Sequence, residues 1–318
     1  MTDEPAQQAA FLPAESAALT RESTLEDVTL PFKAFLRDAG KTNNTIRAFN
    51  SDLNLMKRYF GADATLGSFT ATKLQEYMAW VENGQGEGIP CSAKSYARRV
   101  TTLKVLFKWL HENKIILADP ARPVPQRSIS APLPTILSDE EVDRLLAETA
   151  HRRFADKNPD ARPELLVRLL LDTGIKKSEC MALRPSDIRR EGPRPTLGVR
   201  RRTARDVYKE RRIALNPDWL EVLDEYMEQY RPPEHIFNCT ARNLEYVLTD
   251  LAEAAAIPNV SFELLRWTCA VRDFRAGMSH EDLREKLGLS RISWRETGAK
   301  IERLAAGTEQ PQITQISQ

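Results

Sequence analysis

At 318 residues the chain is long for one hydrophobic core and suited to two. Its 42% hydrophobic and 29% charged residues exclude a disordered or fibrous chain, and no stretch approaches the ~20 apolar residues of a membrane span. The formal net charge of +1 averages over segments of opposite sign. Residues 1–28 hold six acids and one base, 91–128 hold eight bases against Glu112 and Asp119, and 184–212 hold eleven bases against four acids. Such local clusters attract polyanions whatever the total charge. The opening Met1-Thr-Asp-Glu-Pro leads into no signal-type apolar core, so a cytoplasmic, membrane-free location is expected. Cys91, Cys180, Cys239 and Cys269 lie far apart without a C-x-x-C pair; they are expected to be reduced and mostly buried, with no metal or cofactor.

Residues 1–23 carry no helical apolar stripe and are expected to be a flexible tail, as are 307–318. Four helical patterns follow. Val28, Phe32, Phe35 and Leu36 make the first stripe, and Ile46, Phe49, Leu53, Met56 and Phe60 the second, after the start signal Asn43-Asn-Thr45. Leu74, Tyr77, Met78 and Val81 follow Thr70, and Tyr96, Val100, Leu103, Leu106, Phe107 and Leu110 follow Ser92. The spacing predicts a compact all-helical domain over 24–117. Five prolines between Asp119 and Pro134 cannot sit inside a helix, so a linker is expected at 118–135. Ser138-Asp-Glu-Glu141 is a capping box that opens a second domain, 136–306, with a further helix from Leu165 to Asp172 ending at Thr173-Gly174. Thr196 to Arg201 and Val207 to Leu215 have β character around a charged turn, and everything after Trp219 reads as helix. The fold class expected is mainly α with a small β-sheet.

Several segments, in this order, resemble the tyrosine recombinase (phage integrase) family, which includes Xer-type recombinases. Pro132-Leu-Pro-Thr-Ile-Leu-Ser-Asp-Glu-Glu141 is similar to the family's entry into its catalytic domain. Leu169-Leu-Leu-Asp-Thr-Gly-Ile-Lys-Lys-Ser-Glu179, then Ala182-Leu-Arg-Pro-Ser-Asp187-Ile, resembles its T-G-L-R-x-S-E segment and the turn after it. Lys209-Glu-Arg-Arg-Ile-Ala-Leu215 resembles the outgoing hairpin strand, Leu265-Arg-Trp-Thr268 the H-x-L-R-H-T helix, and Leu287-Gly-Leu-Ser-Arg-Ile-Ser293 the L-G-H-S-x-I-S turn. The resemblance covers about 24–305. It implies a four-helix, SAM-like core-binding domain followed by a domain of the recombinase catalytic fold, the two clamping duplex DNA.

The family attacks a phosphodiester with a tyrosine oxygen while arginines, a lysine and histidines stabilise charge and move protons. Phosphoryl transfer is mostly positioning and electrostatics, so each group must present the right charge. The first arginine falls on Lys176, which lacks the two-point grip of guanidinium. The hairpin lysine falls on Arg201 or Arg202, poor proton donors to a leaving oxygen. The histidine of H-x-L-R falls on Glu263; a carboxylate 4 Å from a phosphate charge is unfavourable by about 4 kcal/mol at an effective dielectric near 20. Arg266 matches the second arginine, Leu289 replaces the histidine of L-G-H, and the nucleophile's place is Gly298. The last tyrosine is Tyr246, upstream of Arg266 altogether. The resemblance therefore implies a degenerate member without an intact catalytic set.

The residues expected to hold DNA are Lys94, Arg98, Arg99, Lys104, Lys176, Arg200, Arg201, Arg202, Arg205, Arg211, Arg212 and Arg266. The plainer alternatives are a solvated helix face for 91–114, a solvated hairpin for 200–212, and structural ion pairs of Lys176 or Arg266 with Glu179 or Glu263. Trp267 is expected to pack in the core. The function expected is a non-catalytic DNA-binding protein acting as an accessory, architectural or regulatory factor in a prokaryotic cytoplasm, in association with the nucleoid. Its expected partners are double-stranded DNA and either further copies of itself or an active recombinase. Two alternatives stay open: a recombinase with an unusual nucleophile or inside a mixed complex, and a protein-interaction scaffold without DNA binding.

Overall fold

The computed structural model describes residues 19–84, 91–126, 132–200 and 210–307. The chain divides into two compact units, Met1–Ala131 and Pro132–Gln318. No helix among the described residues is long and apolar enough to cross a membrane.

The first unit contains α1 (Thr29–Asp38), α2 (Asn43–Phe60), α3 (Ala71–Glu82) and α4 (Ala93–Glu112). Thr42, Thr70 and Ser92 cap α2, α3 and α4 by accepting from backbone N–H groups three residues on, satisfying donors that the first turn leaves unpaired. Phe32, Leu53, Leu74, Met78, Val100 and Phe107 fill the core at the three- and four-residue spacing seen in the sequence. This core continues past residue 117: Ala121 and Val124 are buried in it, so the start of the proline-rich stretch packs with the helices.

The second unit runs α5 (Asp139–Arg153), α6 (Arg162–Thr173), α7 (Lys177–Cys180), β1 (Ile188–Arg189), β2 (Thr196–Val199), β3 (Arg211–Ala214), α8 (Asp218–Tyr230), α9 (Ala241–Ala254), α10 (Phe262–Arg275), α11 (His280–Lys286) and α12 (Arg291–Ala305). Both halves of the Ser138 capping box form: Glu141 N–H donates to the Ser138 hydroxyl at 3.2 Å, and Ser138 N–H donates to Glu141 Oε2 at 2.8 Å. α6 is the central helix, apolar almost all round, with Leu165, Leu166, Leu169 and Leu170 fully buried against α5, α8 and α10. The sheet is antiparallel in the order β1-β2-β3, with Leu197 opposite Ile213 and Val199 opposite Arg211. It has one strand more than the hairpin expected from the sequence; two residues are too short a run to show alternation. A smaller apolar cluster (Val271, Leu283, Leu287, Ile301) joins α10, α11 and α12, with Trp267 and Trp294 packed on it.

A charge-neutralised candidate site on the second unit

Two glycines in left-handed conformation build the centre of the site. Gly174 ends α6 at φ 57°, and a Cβ there would meet Leu287 Cδ2 at 3.0 Å and Cys269 Sγ at 3.2 Å. Gly288 ends α11 at φ 60°, and a Cβ there would lie 2.6 Å from Nη1 of Arg211. A side chain at either place would press on these neighbours in a backbone conformation that favours glycine. The two turns thereby bring the carbonyls of Gly174, Lys286 and Leu287 around two guanidinium groups.

Both guanidiniums are turned inward. Arg266, 8% exposed, donates Nη1 to the Gly174 carbonyl and Nη2 to the Leu287 carbonyl at 2.7 Å. Burial pushes its pKa down, opposed by the charge of Glu179, reinforced by Arg211 and opposed again by Glu263. Arg211 donates Nε to the Lys286 carbonyl at 2.6 Å and grips Glu179 with two bonds, Nη1 to Oε1 at 3.2 Å and Nη2 to Oε2 at 2.9 Å. The side chains of this pair are 7% and 2% exposed. Strand pairing explains the burial. Arg211 lies opposite Val199 on the core face of β3, two residues from buried Ile213, whereas Arg212 alternates to solvent.

Glu179 also accepts from the backbone N–H of Lys176 at 2.8 Å, closing the first turn of α7. The Lys176 side chain is half-buried. Glu263 is exposed and, instead of pairing with Arg266, accepts from Trp267 Nε1 at 2.8 Å, one helical turn on. Trp267 is half-buried against the α10–α12 cluster. Leu289 gives an apolar wall to a cleft of about 540 Å³ that Arg212, Arg284, Lys286 and Gly288 also line. Gly298 is buried in the middle of α12, where a Cβ would sit 3.0 Å from Cε2 of Trp294. The terminal stretch 299–306 falls mostly on this same helix, packed on α10 and α11 of its own unit.

The other DNA-contact candidates divide by burial. Lys94, Arg200 and Arg212 are exposed and Lys104 is half-buried. Arg200 lies 2.7 Å from Asp187 with its side chain still 69% exposed. Arg98 and Arg99 are engaged inside the first unit: Arg98 pairs with buried Asp52 at 2.8 Å and donates to the Ala48 carbonyl at 2.9 Å, while Arg99 lies 3.8 Å from Asp52. Desolvation pushes the Asp52 pKa up against the bond from Thr102 and these two arginines. Arg201, Arg202 and Arg205 lie outside the described residues.

Sequence reasoning missed one exposed pair. Arg242 and Tyr246 stand one turn apart on the solvent face of α9, Arg242 Nε donating to the phenol oxygen at 2.9 Å. The signal was present: both fall between the buried stripe Leu244, Val247, Leu248 and Leu251, on a helix that opens at the Thr240 cap. Two of the four cysteines, Cys91 and Cys239, are half-exposed rather than buried.

Residues 31–114 match the phage integrase, N-terminal SAM-like domain. The chain is 30% identical over 155 residues to a tyrosine recombinase XerD of Shewanella oneidensis, covering 47% of this chain and 49% of that protein. The chain is a homologue of the tyrosine recombinases. The match spans only about half of the Shewanella relative, but a XerD of Listeria innocua aligns over 283 residues at 22% identity, covering 84% of this chain and 91% of the relative. A crystal structure of a lambda integrase dimer bound to a COC′ core site superposes with a TM-score of 0.67 at 17% identity, covering 90% of this chain and 79% of that one. At that identity the superposition establishes the two-domain tyrosine recombinase fold alone. In this chain the guanidiniums of Arg211 and Arg266 are both engaged by protein groups.

Proposed function

We propose that this tyrosine recombinase homologue binds duplex DNA without cutting it, as an accessory, architectural or regulatory factor acting at the nucleoid. One observation carries the non-cleaving reading: at the place the resemblance assigns to the nucleophile, α12 has buried Gly298 under the Trp294 indole, and α10–α12 contain no tyrosine. The surrounding charges support it. Arg211 is neutralised by Glu179, Arg266 holds two carbonyls, and an exposed carboxylate, Glu263, and an apolar wall, Leu289, stand at the two histidine positions. A phosphate gains little from cations whose hydrogen-bonding groups are already filled.

DNA affinity would instead come from exposed bases, Lys94 on α4, Arg200 and Arg212, with half-buried Lys104 on the same helix as Lys94, and from the basic sequence run Arg201, Arg202 and Arg205. The Arg242–Tyr246 pair offers a guanidinium and an aromatic face for reading base edges. Partners consistent with this role are a second copy of the chain or an active recombinase.

The test is fluorescence anisotropy on random and genomic duplexes from about 50 to about 300 mM salt, where log affinity falls with log salt in proportion to the phosphates contacted. Arg200→Ala, Arg212→Ala and Arg242→Ala should each weaken binding and reduce the slope by about 1. No binding at low salt would sink the DNA reading in favour of a protein scaffold. A nicked suicide duplex tests the other half: a covalent adduct that survives denaturant would establish cleavage by another nucleophile.

A further inference from the structure

The outer face of α1 carries charges that its own unit does not answer. Val28, Phe32 and Leu36 turn into the core, each at most 1% exposed. On the opposite side Asp27, Leu30, Ala34 and Arg37 follow one another at steps of three, four and three residues, all exposed, Leu30 to 74%. Such steps keep side chains on one line of a helix. Asp27 belongs to that line because the turn before α1 is already helical: Val28 N–H donates to the Thr24 carbonyl at 3.2 Å, and Phe32 N–H to the Val28 carbonyl at 2.9 Å.

The stripe therefore reads acid, large apolar, small apolar, base. Asp27 accepts from the Thr24 N–H and hydroxyl, both at 2.8 Å, and these bonds hold its carboxyl below the usual carboxylate range. Among the described residues neither Asp27 nor Arg37 is ion-paired. Turned end for end, the stripe complements itself. Asp27 falls opposite Arg37 and Leu30 opposite Ala34, and both pairs centre on the level of Phe32, so one two-fold axis makes all four contacts. Small Ala34 leaves room for the projecting Leu30, and each charge faces its opposite at both ends.

We propose that α1 is a self-association surface on which two copies of the chain pack antiparallel, Leu30 of each on Ala34 of the other, with Asp27 and Arg37 paired across the seam. This surface rests on the second-copy reading above and is independent of DNA binding. It is a small one. The ten residues of α1 span about 15 Å, so the contact falls short of the ~1,200 Å² of stable pairs and belongs with transient ones. Its exposed charge pairs weaken further as salt rises.

The experiment is sedimentation equilibrium of the full chain without DNA, at roughly 10 to 500 μM protein and about 50 mM salt, where charge pairs are less screened. The unaltered chain should show a reversible monomer–dimer equilibrium that weakens as salt rises. Leu30→Lys should weaken it at least about tenfold, because its apolar contact is lost twice in a two-fold pair. Arg37→Glu and Asp27→Lys, each alone, put like charges face to face and should stay monomeric. Mixed in equal amounts they should pair with each other, since every facing charge is then opposite. Asp27 also closes a turn through Thr24, so Leu30→Lys mixed with Ala34→Glu repeats the test away from it, and circular dichroism of each variant checks the fold. An unaltered chain that is monomeric at every concentration overturns the proposal together with the second-copy reading. Dimers that persist in Arg37→Glu and Leu30→Lys, or mixtures that stay monomeric where the unaltered chain pairs, overturn the α1 surface alone and leave that reading standing.

Discussion

Replacing Glu179 by leucine removes the carboxylate that the whole site is arranged around. Arg211 then keeps its bond to the Lys286 carbonyl but loses two bonds and its counter-charge at 7% exposure, and the α7 N-terminus loses an acceptor at 2.8 Å. Breaking a buried pair by deleting one partner costs about 3–5 kcal/mol, because the other charge stays behind in low dielectric. For a unit of this size each kcal/mol lowers Tm by about 2–4 °C, so even 3 kcal/mol gives a loss of about 6–12 °C in the transition of the second unit. Replacing both residues, Glu179→Leu with Arg211→Leu, should recover most of it, since a well-packed apolar pair is often as stable as a buried ionic one. Urea unfolding of the four proteins closes the double-mutant cycle. A single-variant loss below about 1 kcal/mol, or a double variant whose loss is the sum of the two singles, would refute the claim that Glu179 exists here to neutralise Arg211. The milder Glu179→Gln leaves an acceptor for Lys176 and removes one buried negative charge; it should strengthen DNA binding at low salt.

Gly298→Tyr should neither restore cleavage nor be tolerated quietly. Its Cβ meets Trp294 at 3.0 Å, so Trp fluorescence should shift, while a nicked duplex should still give no adduct because Arg211 and Arg266 remain engaged. Asp172 carries a pKa raised chiefly by burial, only partly offset by Lys286 and Arg168. A raised folded-state pKa means that the folded protein binds the proton more tightly than the unfolded one, so the charged carboxylate disfavours folding above that pKa. Asp172→Asn should therefore stabilise the protein at pH 7, and the gain should vanish as pH falls through the folded pKa and then the ordinary carboxylate range; a gain independent of pH in urea titrations would refute it.

Helix positions were legible because their apolar stripes and caps are local: Thr70, Ser92 and Ser138 cap where the sequence placed the helix starts, whereas α2 is capped by Thr42, one residue before the Asn43-Asn-Thr45 signal. The fold followed from the order of motifs. Charge assignments were less legible, since a basic residue reads alike whether it faces water or a buried acid. Arg98 and Arg99 look like a phosphate face until Asp52, one helix away, is known to be buried against them. Period-two alternation could have separated Arg211 from Arg212, because Ile213 and Leu215 fix which face of β3 is inward. Nothing local could have tied Arg266 to the carbonyl of Gly174, 92 residues earlier.

That last bond changes what an arginine at position 266 reports. Here the side chain staples the end of α6 to the end of α11, so truncating it would leave two buried carbonyls without donors and would be felt first as misfolding. A residue held by such a requirement is needed for folding whatever chemistry the chain performs, and its presence in a sequence testifies to architecture before it testifies to chemistry.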